Sequence, residues 1–319
     1  MGTLELSLRS LDSSEWGRLG VLFQRVFGQP LPPELTEFKY GEGNGASIAL
    51  IDTGGNVVAH CGMLYQRIFV AGRHVQGVQY GDLMVDPKFR GMHSLEGLPF
   101  NQVFRGALQH VQSTFGEHLV FGYPSKRATR LGEKLGLIAE IDTVEELAWA
   151  AVPGPVSAHL QLTFTKRLRV VLDQSWARMK ADLSDSIVLV RDSAYWKRRY
   201  FDHPVHQYQI YVLHERWWRP PIGVFVLREV GADIELVDWV GALSNSLAIV
   251  EEARKVAGKL GFARLTTWQA SGFSPRISLG QPERRVLPIV AAVGGQLTVG
   301  WVQAFKGRIW AMPGDTDYH

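Results

Sequence analysis

The stretch Val78–Leu98, V-Q-Y-G-D-L-M-V-D-P-K-F-R-G-M-H-S-L-E-G-L, constrains the fold more than any other part of the chain. Its mostly apolar first part, Val78 to Val85, has the length of a strand. Asp86-Pro87 ends it, because proline has no N–H for a ladder and drives the residue before it toward extended backbone. Phe89-Arg90-Gly91 follows, a fixed positive charge beside the residue that lets a ligand approach the backbone closely. From Pro99 to Phe115 apolar residues recur at helical spacing: Phe100, Val103, Phe104, Leu108 and Val111. A strand, a basic glycine-bearing loop and a helix in this order form an anion site, since a helix start offers unpaired N–H groups and partial positive charge. Two helix starts fit the residues: near Leu98 with Pro99 in the first turn, or a cap at Ser94 with a kink at Pro99.

The run G-D-L-M-V-D-P-K-F-R-G resembles the acyl-coenzyme A loop of the GNAT acyltransferase superfamily, a strand followed by Arg/Gln-x-x-Gly-x-Gly/Ala and a helix. Val85, Pro87, Arg90 and Gly91 match, whereas His93 and Leu95 stand where that family has small residues. Downstream, G-Y-P-S-K-R-A-T-R-L-G-E-K-L-G-L resembles the family's Asn-x-x-Ala-x-x-x-Tyr-x-x-x-Gly-Phe. Ser125 takes the place of Asn, Ala128 and Gly136 match, and Gly132 stands where a tyrosine acid is frequent. The resemblance implies acetyl-CoA or another acyl-CoA as co-substrate, no metal, and acyl transfer to a primary amine by direct attack. It assigns polarisation of the thioester to backbone N–H groups near Met84 and Val85. It assigns the pyrophosphate to Phe89, Arg90, Gly91, Met92, His93, Ser94 and Leu95, with Ser125 also binding the co-substrate.

The same order of elements runs along the rest of the chain. Leu4–Leu8 reads as an opening strand, and Asp12 with Glu15 as a capping box before a helix carrying Trp16, Leu19, Leu22, Phe23, Val26 and Phe27. Pro30, Pro32 and Pro33 predict an extended crossing. Ser47–Asp52 and Val57–Val70 are strands about a Gly54-Gly55-Asn56 turn. His118–Gly122 is a further strand, and Lys126–Leu135 a helix ended by Gly136. Thr163–Leu183 is helical, and Asp192–Tyr200 can be. Tyr208–His214, Gly223–Arg228, Ile234–Val240 and Arg264–Trp268 read as strands, Leu247–Leu260 as a helix, and Gln296–Phe305 and Arg308–Met312 as closing strands. The fold class expected is α/β (α+β), with two tandem GNAT-like units, each a mixed, mostly antiparallel twisted sheet flanked by helices. The boundaries are 1–152 for the unit with the phosphate loop, 153–187 for a bridging helix, and 188–319 for a second unit without such a loop. Y-W-K-R-R-Y-F-D-H-P and M-P-G-D-T-D-Y resemble tandem enzymes that acylate amino sugars, which implies an amino-sugar nucleotide as acceptor.

Acyl transfer from a thioester to an amine needs a polarised carbonyl and a deprotonated amine. Asp82, inside an apolar run where burial raises a carboxyl pKa, is the leading base, or else a partner for Arg67 or Arg73. His60 and His93 are alternative bases. Tyr123 is the candidate acid for the leaving thiolate, or else a packing residue. Glu235, Asp238, Asp315 and Asp317 are expected to draw a cationic amine into the cleft between the units. Asp202-His203-Pro204-Val205-His206 lacks the cysteines or carboxylates of a closed metal site, so no metal ligands are assigned.

Net charge is 34 − 31 = +3, too mild to argue for nucleic acid. A single cysteine, Cys61, excludes an intrachain disulfide. No apolar run reaches the ~18 residues of a spanning helix, and no secretory signal opens the sequence. These features point to a cytoplasmic protein; a homodimer stays open. Two rival readings are a non-catalytic GNAT-like binding protein, with His93 and Leu95 blocking the co-substrate, and a tandem aminoacyl-tRNA-dependent transferase.

Overall fold

The computed structural model describes residues 5–41, 43–91, 98–215, 219–294 and 299–316. The elements run β1 (Leu6–Ser10), α1 (Trp16–Phe27), α2 (Pro33–Tyr40), β2 (Gly45–Asp52), β3 (Val57–Val70), β4 (Arg73–Val85), α3 (Pro99–Thr114), β5 (His118–Gly122), α4 (Lys126–Lys134) and β6 (Ile138–Ala150). They continue β7 (His159–Gln161), α5 (Lys166–Asp182), β8 (Ile187–Leu189), α6 (Ser193–Trp196), β9 (Gln209–His214), β10 (Pro221–Val230), β11 (Asp233–Gly241), α7 (Ser246–Lys259), β12 (Arg264–Ala270), β13 (Glu283–Gly294) and α8 (Val299–Phe305).

The strands form one sheet in the order β1-β2-β3-β4-β5-β13-β6-β12-β11-β10-β9-β7, with β8 added beside β3. Two pairs among the described residues, β4/β5 and β11/β12, are parallel; the rest are antiparallel. This is the mixed α/β class expected. β13 enters between β5 and β6 and pairs with both, so the late part of the chain completes the sheet of the early part.

Strand alternation sends neighbouring residues to opposite faces. In β2, Ile48 and Leu50 pack with Val103, Ala107 and Val111 of α3, while Ala49 and Ile51 pack with Leu19 and Leu22 of α1. Complete burial of a side chain such as Val103 or Leu22 contributes about 1.5–3 kcal/mol, which fixes both helices against the sheet. Helix α3 starts at Pro99, whose missing N–H costs nothing at the first helical position. The late start is therefore the one adopted.

Two sequence expectations fail. Pro33 opens α2 instead of continuing an extended crossing, because proline is favoured at the first helical position and Glu34, Leu35 and Lys39 are good helix formers. Val299–Phe305 is a helix, not a strand, and Ile309 makes only an isolated bridge to Ile187. Val299 and Val302, three apart, and Trp301 and Phe305, four apart, carry helical spacing that outweighs the alternation.

Candidate active site

β4 and β5 pair only over Gln76–Gln79 with His118–Phe121. Past that point β4 continues to Val85 held by β3, while β5 turns through Gly122 into α4. The strands part, and the gap is a cavity of about 710 Å³. Tyr80–Leu83, Val85 and Phe89–Gly91 form one wall; Gly122, Pro124, Ser125, Ala128 and Leu131 form another. Ala292, Val293 and Gly294 of β13 line it as well. At its mouth Gly91 has φ 87°, a left-handed backbone suited to glycine. Arg90 is exposed there, its Nε donating to the Val85 carbonyl at 3.0 Å. Ser125 caps α4, accepting from the Ala128 N–H at 3.3 Å. Met92, His93, Ser94 and Leu95 lie outside the described residues.

The parting coincides with a bulge. His60 stands opposite Met84 and Gly62 opposite Gly81, so Asp82 and Leu83 together face Cys61. Asp82 takes φ 43°, a conformation that costs a non-glycine residue of order 1–3 kcal/mol and needs surrounding support. That support is visible. The His60 Nδ1–H lies 2.8 Å from the Asp82 carbonyl, Lys39 Nζ 2.9 Å from its carboxylate, and the Tyr40 hydroxyl donates to the same oxygen at 2.6 Å.

These contacts reverse the expected pKa of Asp82. Burial pushes the carboxyl up, but Lys39 and the Tyr40 hydroxyl outweigh it, and the group lies below the ordinary 3.8. Asp82 is an ion-paired carboxylate at the cavity wall, not a raised acid, and Arg67 and Arg73 pair elsewhere, with Asp192 and Glu117. His60 is fully buried between Asp82 and Ser47, whose Oγ lies 2.8 Å from its Nε2. Burial holds it down at about 4, so it is neutral and positions Asp82 rather than lining the cavity.

Tyr123 is buried edge-on to Phe121 and Trp268 and lines neither cavity; burial raises its hydroxyl well above 10. Gly132 cannot be replaced by a side chain cheaply, since a Cβ there would lie 2.5 Å from Ile138 Cγ1. Tyr80 also lines the cavity, and its buried hydroxyl has no hydrogen-bond partner among the described residues. Sequence reasoning passed over Tyr80, Lys39 and Tyr40. Pro33 followed by good helix formers was the available signal for the last two.

A second cavity of about 240 Å³ lies on the Lys39 side of the ion pair, lined by Lys39, Gln79, Tyr195, Arg198, Arg199 and His203 among others. Lys39 lines the smaller cavity and Asp82 the larger, so their ion pair spans the wall between the two. The carboxylates expected to attract an amine are engaged elsewhere. Arg191 Nε donates to Asp238 at 2.8 Å and Nη2 to Asp315 at 2.5 Å, all three fully buried, and Arg228 pairs with Glu235 at 2.9 Å. Asp317 lies outside the described residues. His203 Nδ1 accepts from the N–H groups of Val205 and His206, and no metal-holding cluster occurs among the described residues. No described helix is long and apolar enough to cross a membrane.

Residues 7–136 match the family model of the acetyltransferase (GNAT) domain. No curated protein sequence matches the chain. Among solved structures, a protein of unknown function from Enterococcus faecalis V583, described as a "Probable N-Acyltransferase", superposes with TM-score 0.65 at 11% identity, covering 94% of this chain and 74% of that one. A GCN5-related N-acetyltransferase from Anabaena variabilis gives 0.63 at 14% identity, covering 91% and 72%. Saccharomyces cerevisiae N-myristoyltransferase with bound myristoyl-CoA gives 0.59 at 10% identity, covering 92% and 80%. At these identities the structural likeness shows the fold. Residues 7–136 thus match the GNAT acetyltransferase domain model, and the chain as a whole shares the fold of these solved structures.

Proposed function

We propose that the chain moves an acyl group, acetyl in the simplest case, from acyl-CoA to a primary amine by direct attack. The observation that carries this reading is the 710 Å³ gap between β4 and β5, with a basic glycine loop at its mouth and a carboxylate in its wall. Its volume lies within the range of about 300–1,000 Å³ typical of small-molecule sites.

The edge of β4 that β5 leaves offers backbone N–H and C=O groups to an extended thioester arm, as a strand would receive another strand. N–H groups near Met84 and Val85 stabilise negative charge developing on the thioester oxygen. Arg90 and the turn at Gly91 hold the pyrophosphate, with Phe89 and Ser125 beside it. Asp82 accepts the proton of the incoming amine: its carboxylate attracts the ammonium form, and Lys39 and Tyr40 hold it in place. Tyr80 supplies a hydroxyl to the sulfur as the C–S bond breaks.

The amine enters from the smaller cavity, past Lys39. An amino-sugar nucleotide is the acceptor to test first, supported by the resemblance of Tyr195–Pro204, a segment that contributes Tyr195, Arg198, Arg199 and His203 to that cavity. The test is thiol release from acetyl-CoA and longer acyl-CoA species against a panel of amines and amino-sugar nucleotides. Amine-dependent release is expected. Failure of every acyl donor and amine to give it would sink the reading.

A further inference from the structure

The smaller cavity has a one-sided charge. Lys39, Arg67, Arg198, Arg199 and His203 line it, and no aspartate or glutamate does among the described residues. Lys39 and Arg67 have carboxylate partners, Asp82 and Asp192. Arg198 and Arg199 do not: among the described residues they donate to neutral oxygens alone. Arg198 Nη2 donates to the Phe38 carbonyl at 2.8 Å and the guanidinium lies over the Phe38 ring. Arg199 donates to the carbonyls of Gly314 and Thr316 and to the Tyr208 hydroxyl, 3.0–3.2 Å away. A guanidinium has five N–H donors, so both keep donors to offer a ligand.

The backbone presents this pair deliberately. Helix α6 passes directly into a π-helical turn, Lys197–Phe201, a geometry that is rare and concentrates at functional sites. The neighbouring groups register the same positive field. Burial lowers His203 to about 3, with Arg199, His206 and Lys39 adding to the effect. Burial likewise lowers Arg198, assisted by Arg199. Two adjacent, incompletely neutralised guanidinium groups in a half-buried pocket are unfavourable unless an anion joins them.

We propose that the smaller cavity is an oxyanion subsite, in which Arg198 and Arg199 hold a phosphate or carboxylate group of the acceptor. This rests on the acyl-transfer reading for the identity of the acceptor, and on the cavity alone for the binding of the anion. With about 240 Å³ the cavity holds an anionic head and a short stem, and leaves the amine to reach Asp82 past Lys39. Amines lacking such a group are then poor acceptors.

The test uses His203 as a local reporter in the full-length protein. Its ring resonances, assigned with His203→Gln, are followed by NMR during titration with inorganic phosphate and, separately, acetate. Saturable shifts are expected with one or both probes, and the arm that binds tighter identifies the source of the anion. Arg198→Gln weakens that binding about tenfold or more, Arg198→Lys restores part of it, and Arg90→Gln leaves it unchanged. Arg198 is the substitution of choice because Arg199 also anchors the carbonyls of Gly314 and Thr316. No saturable shift with either anion, or shifts equally strong in Arg198→Gln, would overturn the proposal. Acetyl-CoA titrated into the same samples by calorimetry reads the larger cavity separately, so failure of the acyl-transfer reading is recognised independently.

Discussion

Two parallel strand pairs interrupt this sheet, and they have opposite fates. β4 and β5 part and leave an open cavity walled by Tyr80, Asp82 and Ala128. β11 and β12 pair only at Ile234–Glu235 with Leu265–Thr266, and the segment Ile309–Thr316 packs against β11 beyond them. Trp310 sits edge-on to Trp239 and Phe273, and Arg191 joins Asp238 to Asp315. A Cβ on Gly314 would fall 2.2 Å from the Tyr200 hydroxyl and 3.2 Å from the Val237 carbonyl, so this filling is tight. The same order of elements therefore makes a ligand gap in one place and a packed seam in the other. What differs is whether the chain supplies its own occupant.

The sharpest way to break this comparison is at the seam. Arg191→Ala leaves two buried carboxylates facing each other, and loss of about 3–5 kcal/mol of stability is expected from removing one partner of a buried ion pair. Thermal or urea unfolding measures it; a variant as stable as wild type contradicts the account of the seam. At the gap, Asp82→Asn is expected to lower kcat by about 10²–10⁴-fold, the usual contribution of a positioned base, with acetyl-CoA affinity nearly unchanged. Its stability effect has a defined pH sign. Because the folded-state carboxyl lies below 3.8, the stability that Asp82 adds is present above that value and lost as pH falls through the folded one. The wild-type advantage over Asp82→Asn in urea unfolding therefore shrinks in acid; an advantage that grows there contradicts the ion pair.

Smaller effects follow at the edges of the gap. Arg90→Gln is expected to weaken acyl-CoA binding by about tenfold through loss of a charge-assisted contact, and an unchanged dissociation constant removes Arg90 from the site. Tyr80→Phe leaves folding stability within about 0.5 kcal/mol, because its hydroxyl has no protein partner to lose. It should slow thiol release by several-fold at saturating substrate; equal rates would assign Tyr80 to packing with Phe104 alone.

Much of the gap was legible because it is local. Val78–Gly91 carries a strand, a stop and a basic loop in one continuous segment, and Ser125 follows the next strand in the same way. The ion pair was not legible, because Lys39 and Tyr40 come from α2, 43 and 42 residues upstream, and nothing local says that they reach Asp82. Burial alone predicted a raised Asp82; the partner decided the sign. Tyr123, read as an acid or else a packing residue, lies just past β5 and packs edge-on to Phe121 and Trp268. β13 escaped notice because its register depends on two strands far away in the chain, β5 and β6. The basic cavity needs Arg198 and Arg199 brought beside Lys39, a meeting that only the tertiary fold makes.

The open gap is best tested by filling it as the seam is filled. Acetyl-CoA is titrated by calorimetry into wild type and into Ala128→Trp, whose side chain enters the gap from α4, with circular dichroism confirming that both are folded. Saturable binding to wild type and none to the folded variant is the predicted result; binding undiminished by the tryptophan would place the co-substrate elsewhere and contradict the account.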